Sequence, residues 1–178
     1  MLEQDSAVLV VVDVQGKLAR IVHDSRQVIA NVGRIVAGAR ALGVPVLCTE
    51  QNPDGLGPTV DEIAPLLDEP AIPKMAFSCC GEPAFVEALN RLSRRHILLA
   101  GIETHICIYQ TAMGLLDMGF QPHLVADGVS SRDPRNRELA LRKMQAAGAT
   151  ITCVEMALFE LLGTADRPEF KELLRIVK

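Results

Sequence analysis

The 178-residue chain has no tryptophan, one tyrosine and five phenylalanines. So little aromatic material argues against a large stacking site for bases or flat cofactors. Basic side chains are not in excess: 18 Lys and Arg against 22 Asp and Glu leave a formal net charge of −4. That balance offers no basic face for nucleic acid or anionic lipid. No apolar run approaches the roughly 18 residues that would cross a bilayer. The opening "MLEQDSAVLVVVD" has neither the basic flank nor the cleavage pattern of a signal peptide. The expectation is a cytoplasmic protein that handles a small-molecule substrate, with no nucleic-acid or membrane partner.

Cofactor and metal signatures are missing too. The five cysteines, at 48, 79, 80, 107 and 153, form no C-x-x-C pair, and their odd number argues against a closed disulfide framework. Adjacent Cys79 and Cys80 could pair only through a strained turn, so they read as two unlinked thiols. The histidines at 23, 96, 105 and 123 share no ligand spacing. After the first apolar run stands "VDVQGKLAR" rather than G-x-G-x-x-G, which disfavours a dinucleotide-binding loop. Neither a metal nor a cofactor is expected.

What the chain does have is alternation. Short continuous apolar runs, "AVLVVVD", "PVLCTE", "AIPKMAF", "HILLAG", "PHLVAD" and "TITCVE", are separated by longer segments of helical period. Runs that do not alternate suit strands buried on both faces, and strands alternating with helices suit a parallel sheet between two helical layers. Val28, Ile29, Val32, Ile35, Val36, Ala39 and Leu42 fall on one helical stripe. Asp24 and Gln27 fit a capping box ahead of it, and Gly43 a stop after it. Glycine also leads from helix to strand in "DMGFQPHLV" and "AAGATI". Asp133 and Pro134 fit the N-cap and first position of a helix, and two short helices, near 155–162 and 168–177, close the chain. With no linker or repeat, residues 1–178 read as one domain. The longest irregular stretch, "EQNPDGLGPT" from 50 to 59, follows a strand, where open parallel sheets bind ligands.

Three residues interrupt this apolar pattern in places where chemistry is possible. Asp13 ends the first strand; buried and unpaired it would cost several kcal/mol, so it needs a partner, unless it merely caps the next turn. Lys74 interrupts "AIPKMAF", either paired inside or as a charge guarding an edge strand. Cys107, in "GIETHICIYQTAMGLL", falls where an apolar helix begins. Packing is the common fate of cysteine. At a helix N-terminus, however, free N–H groups and the dipole favour the thiolate and can hold an oxyanion.

In this order and context the three residues resemble those of the isochorismatase-like cysteine hydrolases. The resemblance runs from "VLVVVDVQ" through "PVLCTEQNPDGLGPT", "PKMAFSC" and "LLAGIETHICIYQTAMGLLDMGFQPHLVADGVSSR" to "PEFKELL". "TEQNPDGLGPT" together with "GIETHIC" is most similar to the isochorismatase-domain-containing subgroup. The resemblance implies a three-layer αβα fold with a six-stranded parallel sheet ordered 3-2-1-4-5-6, and a triad of Asp13, Lys74 and Cys107. It also implies a cis peptide at Ile102–Glu103 that turns the Glu103 N–H toward the Cys107 N–H to form an oxyanion hole. Metal-dependent nicotinamidases carry Asp-x-His and a further histidine after the second strand; "TEQNPDGLG" has no histidine, so nicotinamidase chemistry is disfavoured. With cysteine present, the implied reaction is cleavage of a C–N or related acyl bond through a thioester. Gln15, Gln51, Leu56, Phe77 and Tyr109 are candidates for the pocket wall, and equally for packing and turns. The protein is expected to form a homo-oligomer. A non-catalytic scaffold that keeps the fold is the alternative.

Overall fold

The computed structural model describes all residues, 1–178. Six strands, β1 (Ala7–Val12), β2 (Val46–Gln51), β3 (Ile72–Lys74), β4 (His96–Ile102), β5 (Gln121–Ser130) and β6 (Thr150–Thr152), form one sheet in the order β3-β2-β1-β4-β5-β6. Every pairing is parallel. The helices are α1 (Leu18–Ile21), α2 (Ser25–Ala41), α3 (Pro53–Leu56), α4 (Pro83–Leu92), α5 (Tyr109–Asp117), α6 (Pro134–Ala146), α7 (Val154–Leu162) and α8 (Phe170–Val177).

The strands are continuous in hydrophobicity because both of their faces are buried. Leu9 and Val11 of β1 join Val32, Ile35 and Leu158 in one core, with α2, α7 and α8 above it. Val8, Val10 and Val12 join Phe85, Leu115 and Met144 in the other, covered by α4, α5 and α6. The order in which strands are added reverses between β1 and β4, which remain parallel and whose register sets Val12 opposite Gly101. Gly101 has φ +124°, and a Cβ there would lie 2.0 Å from the Val12 carbonyl oxygen. No other residue lets the two strands approach this closely just before the chain turns into the site.

Gly43, Gly119 and Gly148 have φ of 66°, 82° and 110° after their helices. Asp133 caps α6 by accepting the Arg135 N–H at 2.9 Å. The capping box at Asp24 does not form. Asp24 is left-handed, φ 51°, and makes no side-chain cap, while Gln27 donates to Asn31 instead; a box needs its first residue extended. Two strands are shorter than the apolar runs implied. β3 stops at Lys74, whose side chain turns inward, and β6 stops at Thr152, because α7 begins at Val154. No helix is long and apolar enough to cross a membrane.

At the N-terminal end of the sheet, His96 and His123 meet on adjacent strands, Nδ1 to Nε2 at 3.0 Å. The functional candidates gather at the opposite end.

Candidate active site

Asp13 is the first residue after β1 and is left-handed, φ 55°, a conformation aspartate tolerates better than most residues. The turn is closed by the Gln15 N–H donating to the Asp13 carbonyl at 2.9 Å. Its buried carboxylate is gripped on both oxygens: Lys74 Nζ donates to Oδ2 at 2.6 Å and Thr49 Oγ1 donates to Oδ1 at 2.7 Å. Asp13 therefore does not act as a turn cap.

Lys74 lies on the edge strand, yet its side chain is 0% exposed, so it is no solvent-facing guard charge. Besides Asp13, its ammonium donates to the carbonyls of Ala76 and Phe77, each at 3.1 Å. An ammonium has three hydrogens. All three are committed, so Lys74 acts on its surroundings as a fixed charge rather than as a free donor.

Between β4 and α5 the chain makes a π-helical turn, Thr104–Ile108, which carries Cys107. The peptide bond before the turn, Ile102–Glu103, is cis. The segment just past β5 braces the turn: Arg132 donates its N–H at 2.8 Å and its Nε–H at 3.2 Å to the buried Glu103 carboxylate, and Ser131 Oγ lies 3.0 Å from His105 Nδ1. The Thr104 hydroxyl is the one buried side-chain polar atom without a partner.

Cys107 is 8% exposed. Burial pushes its thiol up to about 12, with the nearby Asp13 carboxylate adding to the rise and Lys74 opposing it. This corrects the thiolate expectation. Cys107 is inside a π turn rather than in the first turn of α5, and burial beside an anion outweighs what free N–H groups provide. At neutral pH Cys107 rests as a thiol with a carboxylate beside it.

Asp13 and Cys107 line one pocket of about 250 Å³. Its wall includes Leu18, Leu56, Phe77, Ile102 and Ile106, with Gln51, Glu103 and Arg132 as further polar groups. Of the five wall candidates from sequence, the structure brings Gln51, Leu56 and Phe77 here and leaves two elsewhere. Gln15 is fully buried, its amide tied to the Gln51 carbonyl at 3.2 Å and the Gly57 carbonyl at 2.7 Å, which fastens the loop after β2. Tyr109 lies under the Lys143 ammonium, 4.8 Å from its ring centroid. A wider groove of about 440 Å³ over α2, lined by Arg20, Arg26 and Arg34, contains no thiol or hydroxyl group. No three His, Cys, Asp or Glu side chains converge in a way that could hold a metal.

Sequence reasoning missed Thr49 and Arg132. Thr49 looks like an ordinary β-branched strand residue; its signal is a hydroxyl near the end of the strand beside the one that Asp13 ends. Arg132 could have been singled out by its place just past the C-terminal end of β5.

Residues 7–156 match the family model for the isochorismatase domain. Isochorismatase domain-containing protein 2 of Bos taurus is 40% identical over 174 residues, covering 97% of this chain and 83% of its own. A structure described as MAR1 ribonuclease from Caenorhabditis elegans has a TM-score of 0.93 at 35% identity, covering 99% of this chain and 91% of that one. YcaC from Pseudomonas aeruginosa, with hexane-2,5-diol and covalent acrylamide, has a TM-score of 0.93 at 25% identity, covering 98% and 90%.

Proposed function

Because the chain belongs to the isochorismatase domain family, we propose that it works as a cysteine hydrolase on a small amide-like or related acyl substrate, with Asp13, Lys74 and Cys107 as its triad. One observation carries this reading: a buried carboxylate, held on both oxygens by Lys74 and Thr49, lines the same pocket as a thiol.

The chemistry follows from the protonation state. Each Asp13 oxygen accepts one hydrogen bond and keeps a lone pair, so the carboxylate can take the Cys107 proton as Sγ attacks the carbonyl carbon. Proton transfer timed with attack is what a thiol held up to about 12 requires. The Lys74 charge offsets negative charge on whichever partner carries it. Backbone N–H groups of Glu103 and Cys107 receive the oxyanion; in support, the Glu103 N–H donates to no backbone carbonyl. Asp13 then gives its proton to the leaving amine, a thioester remains, and water activated by the same carboxylate releases the acid.

A pocket of about 250 Å³ with a mostly apolar wall suits a small, compact acyl compound. The five free thiols fit a reducing, cytoplasmic setting. Exposed Ile21, Met75 and Phe77 supply apolar surface for a homo-oligomer, which light scattering checks. RNA cleavage is the second reading, raised by the description of the nematode relative; the net charge of −4 opposes it.

The test is a library of small amides and esters, plus a single-stranded RNA, assayed with wild type and Cys107→Ala. We expect acyl turnover that falls by roughly 10³-fold or more in the variant, with an acyl adduct on Cys107 seen by intact mass. RNA cleavage without acyl turnover, or turnover that survives Cys107→Ala, overturns the proposal.

A further inference from the structure

Resting on the reading of Asp13 as the base, we propose that Thr49 is a positioning residue that locks the Asp13 carboxylate in its proton-accepting orientation, and that the buried Cys79 thiol orients Thr49 in turn. Thr49 holds Asp13 at two points. Its carbonyl accepts the Asp13 N–H at 3.1 Å, and its hydroxyl donates to Oδ1 at 2.7 Å. A carboxylate is otherwise loosely fixed about its last torsion, which is broad and two-fold. Lys74 alone holds one oxygen and leaves that rotation open.

The direction of the hydrogen bonds is determined by chemistry. An ionised carboxylate only accepts, so the single Thr49 hydroxyl proton points to Asp13. The lone pairs of the hydroxyl are then left for Cys79, whose Sγ lies 3.6 Å away. Burial pushes Cys79 up to about 11, so its proton is present at neutral pH and can be donated. Cys79 is held in turn by its own N–H, which donates to Thr111 Oγ1 on α5 at 2.9 Å. Thr49 and Cys79 are fully buried, and neither lines the pocket, so they reach the substrate only through Asp13.

A donor to the charged form of a base favours that form. Losing it should cost rate and shift the acidic limb of the pH–rate profile to higher pH. The test compares Thr49→Ser, which loses the methyl and keeps the hydroxyl, with Thr49→Ala, which loses both, using p-nitrophenyl acetate as the acyl probe. Thr49→Ser should stay within about threefold of wild type in kcat. Thr49→Ala should fall by roughly 10- to 100-fold, as for a lost hydrogen bond to a charged group, with KM nearly unchanged and the acidic limb displaced upward. Thr49→Val gives the same comparison should the alanine variant fail to fold. Equal behaviour of the serine and alanine variants, or a loss confined to KM, overturns the positioning role. Asp13→Asn separates the two levels. An active Asp13→Asn, or a wild type with no Cys107-dependent turnover of the probe, removes the parent reading. An inactive Asp13→Asn beside matching Thr49 variants removes only the inference.

Discussion

The two ends of the central strands both bury titratable groups, and they do so in opposite ways. At the N-terminal end, His96 and His123 turn ring nitrogens on each other, 3.0 Å apart, in a neutral pair. Burial holds His123 down to about 4, and neighbouring His96 adds to the depression. At the C-terminal end the buried pair is ionic, Asp13 with Lys74, and it opens onto a pocket with a thiol. Burial of polar groups is therefore no mark of function by itself. The difference is that the Asp13 oxygens keep capacity to accept a proton beside a thiol.

The comparison is broken most severely by removing one partner of the ionic pair. Lys74→Met leaves an uncompensated buried carboxylate and is expected to destabilise the fold by about 3–5 kcal/mol, read by urea denaturation. Activity should vanish in the same protein. The double variant Asp13→Leu, Lys74→Met should regain much of the stability and none of the turnover. A single variant as stable as wild type would show that the pair is not buried as described.

A smaller effect is expected from the histidine end. Because the folded-state pKa of His123 lies below its ordinary 6.5, the unfolded chain binds the proton first. The stabilisation is present above about pH 6.5 and is lost as pH falls toward 4, by about 3 kcal/mol. Burial depresses His96 as well, the amino terminus and Arg95 reinforcing the shift and Glu3 and Glu160 opposing it. His123→Gln should flatten this acid limb in thermal unfolding curves and leave turnover at neutral pH unchanged. An unaltered limb would place the acid sensitivity elsewhere. The smallest effect belongs to Thr104. Its hydroxyl is buried with no partner, so Thr104→Val should be neutral or stabilising by about 1 kcal/mol, and a marked loss of Tm would reveal a partner for it.

The central part of the fold was legible because of this same burial. β1 and β4 lie in the middle of the sheet, so both faces demand apolar residues and the runs are unbroken. At the edges the signal fades. β3 keeps three residues because Lys74 must turn inward, and "TITCVE" divides between β6 and α7. The places of Asp13, Lys74 and Cys107 were legible as polar interruptions of an apolar pattern. Thr49 interrupts nothing, since a β-branched residue is at home in a strand. Its hydroxyl becomes visible only when β2 is laid beside β1. The protonation of Cys107 was misread for a related reason: sequence marks the start of a helix but not the carboxylate across the fold.

Lys74 donates to the carbonyl of Phe77 while the Phe77 side chain lines the pocket. Position 77 thus separates wiring from shape. The backbone oxygen that helps hold the ammonium is the same for any amino acid, so the side chain can change in size and polarity without rewiring the Asp13–Lys74 pair. Under the proposed function, selection can redraw the substrate range at this position while the Asp13, Lys74 and Cys107 arrangement stays as it is.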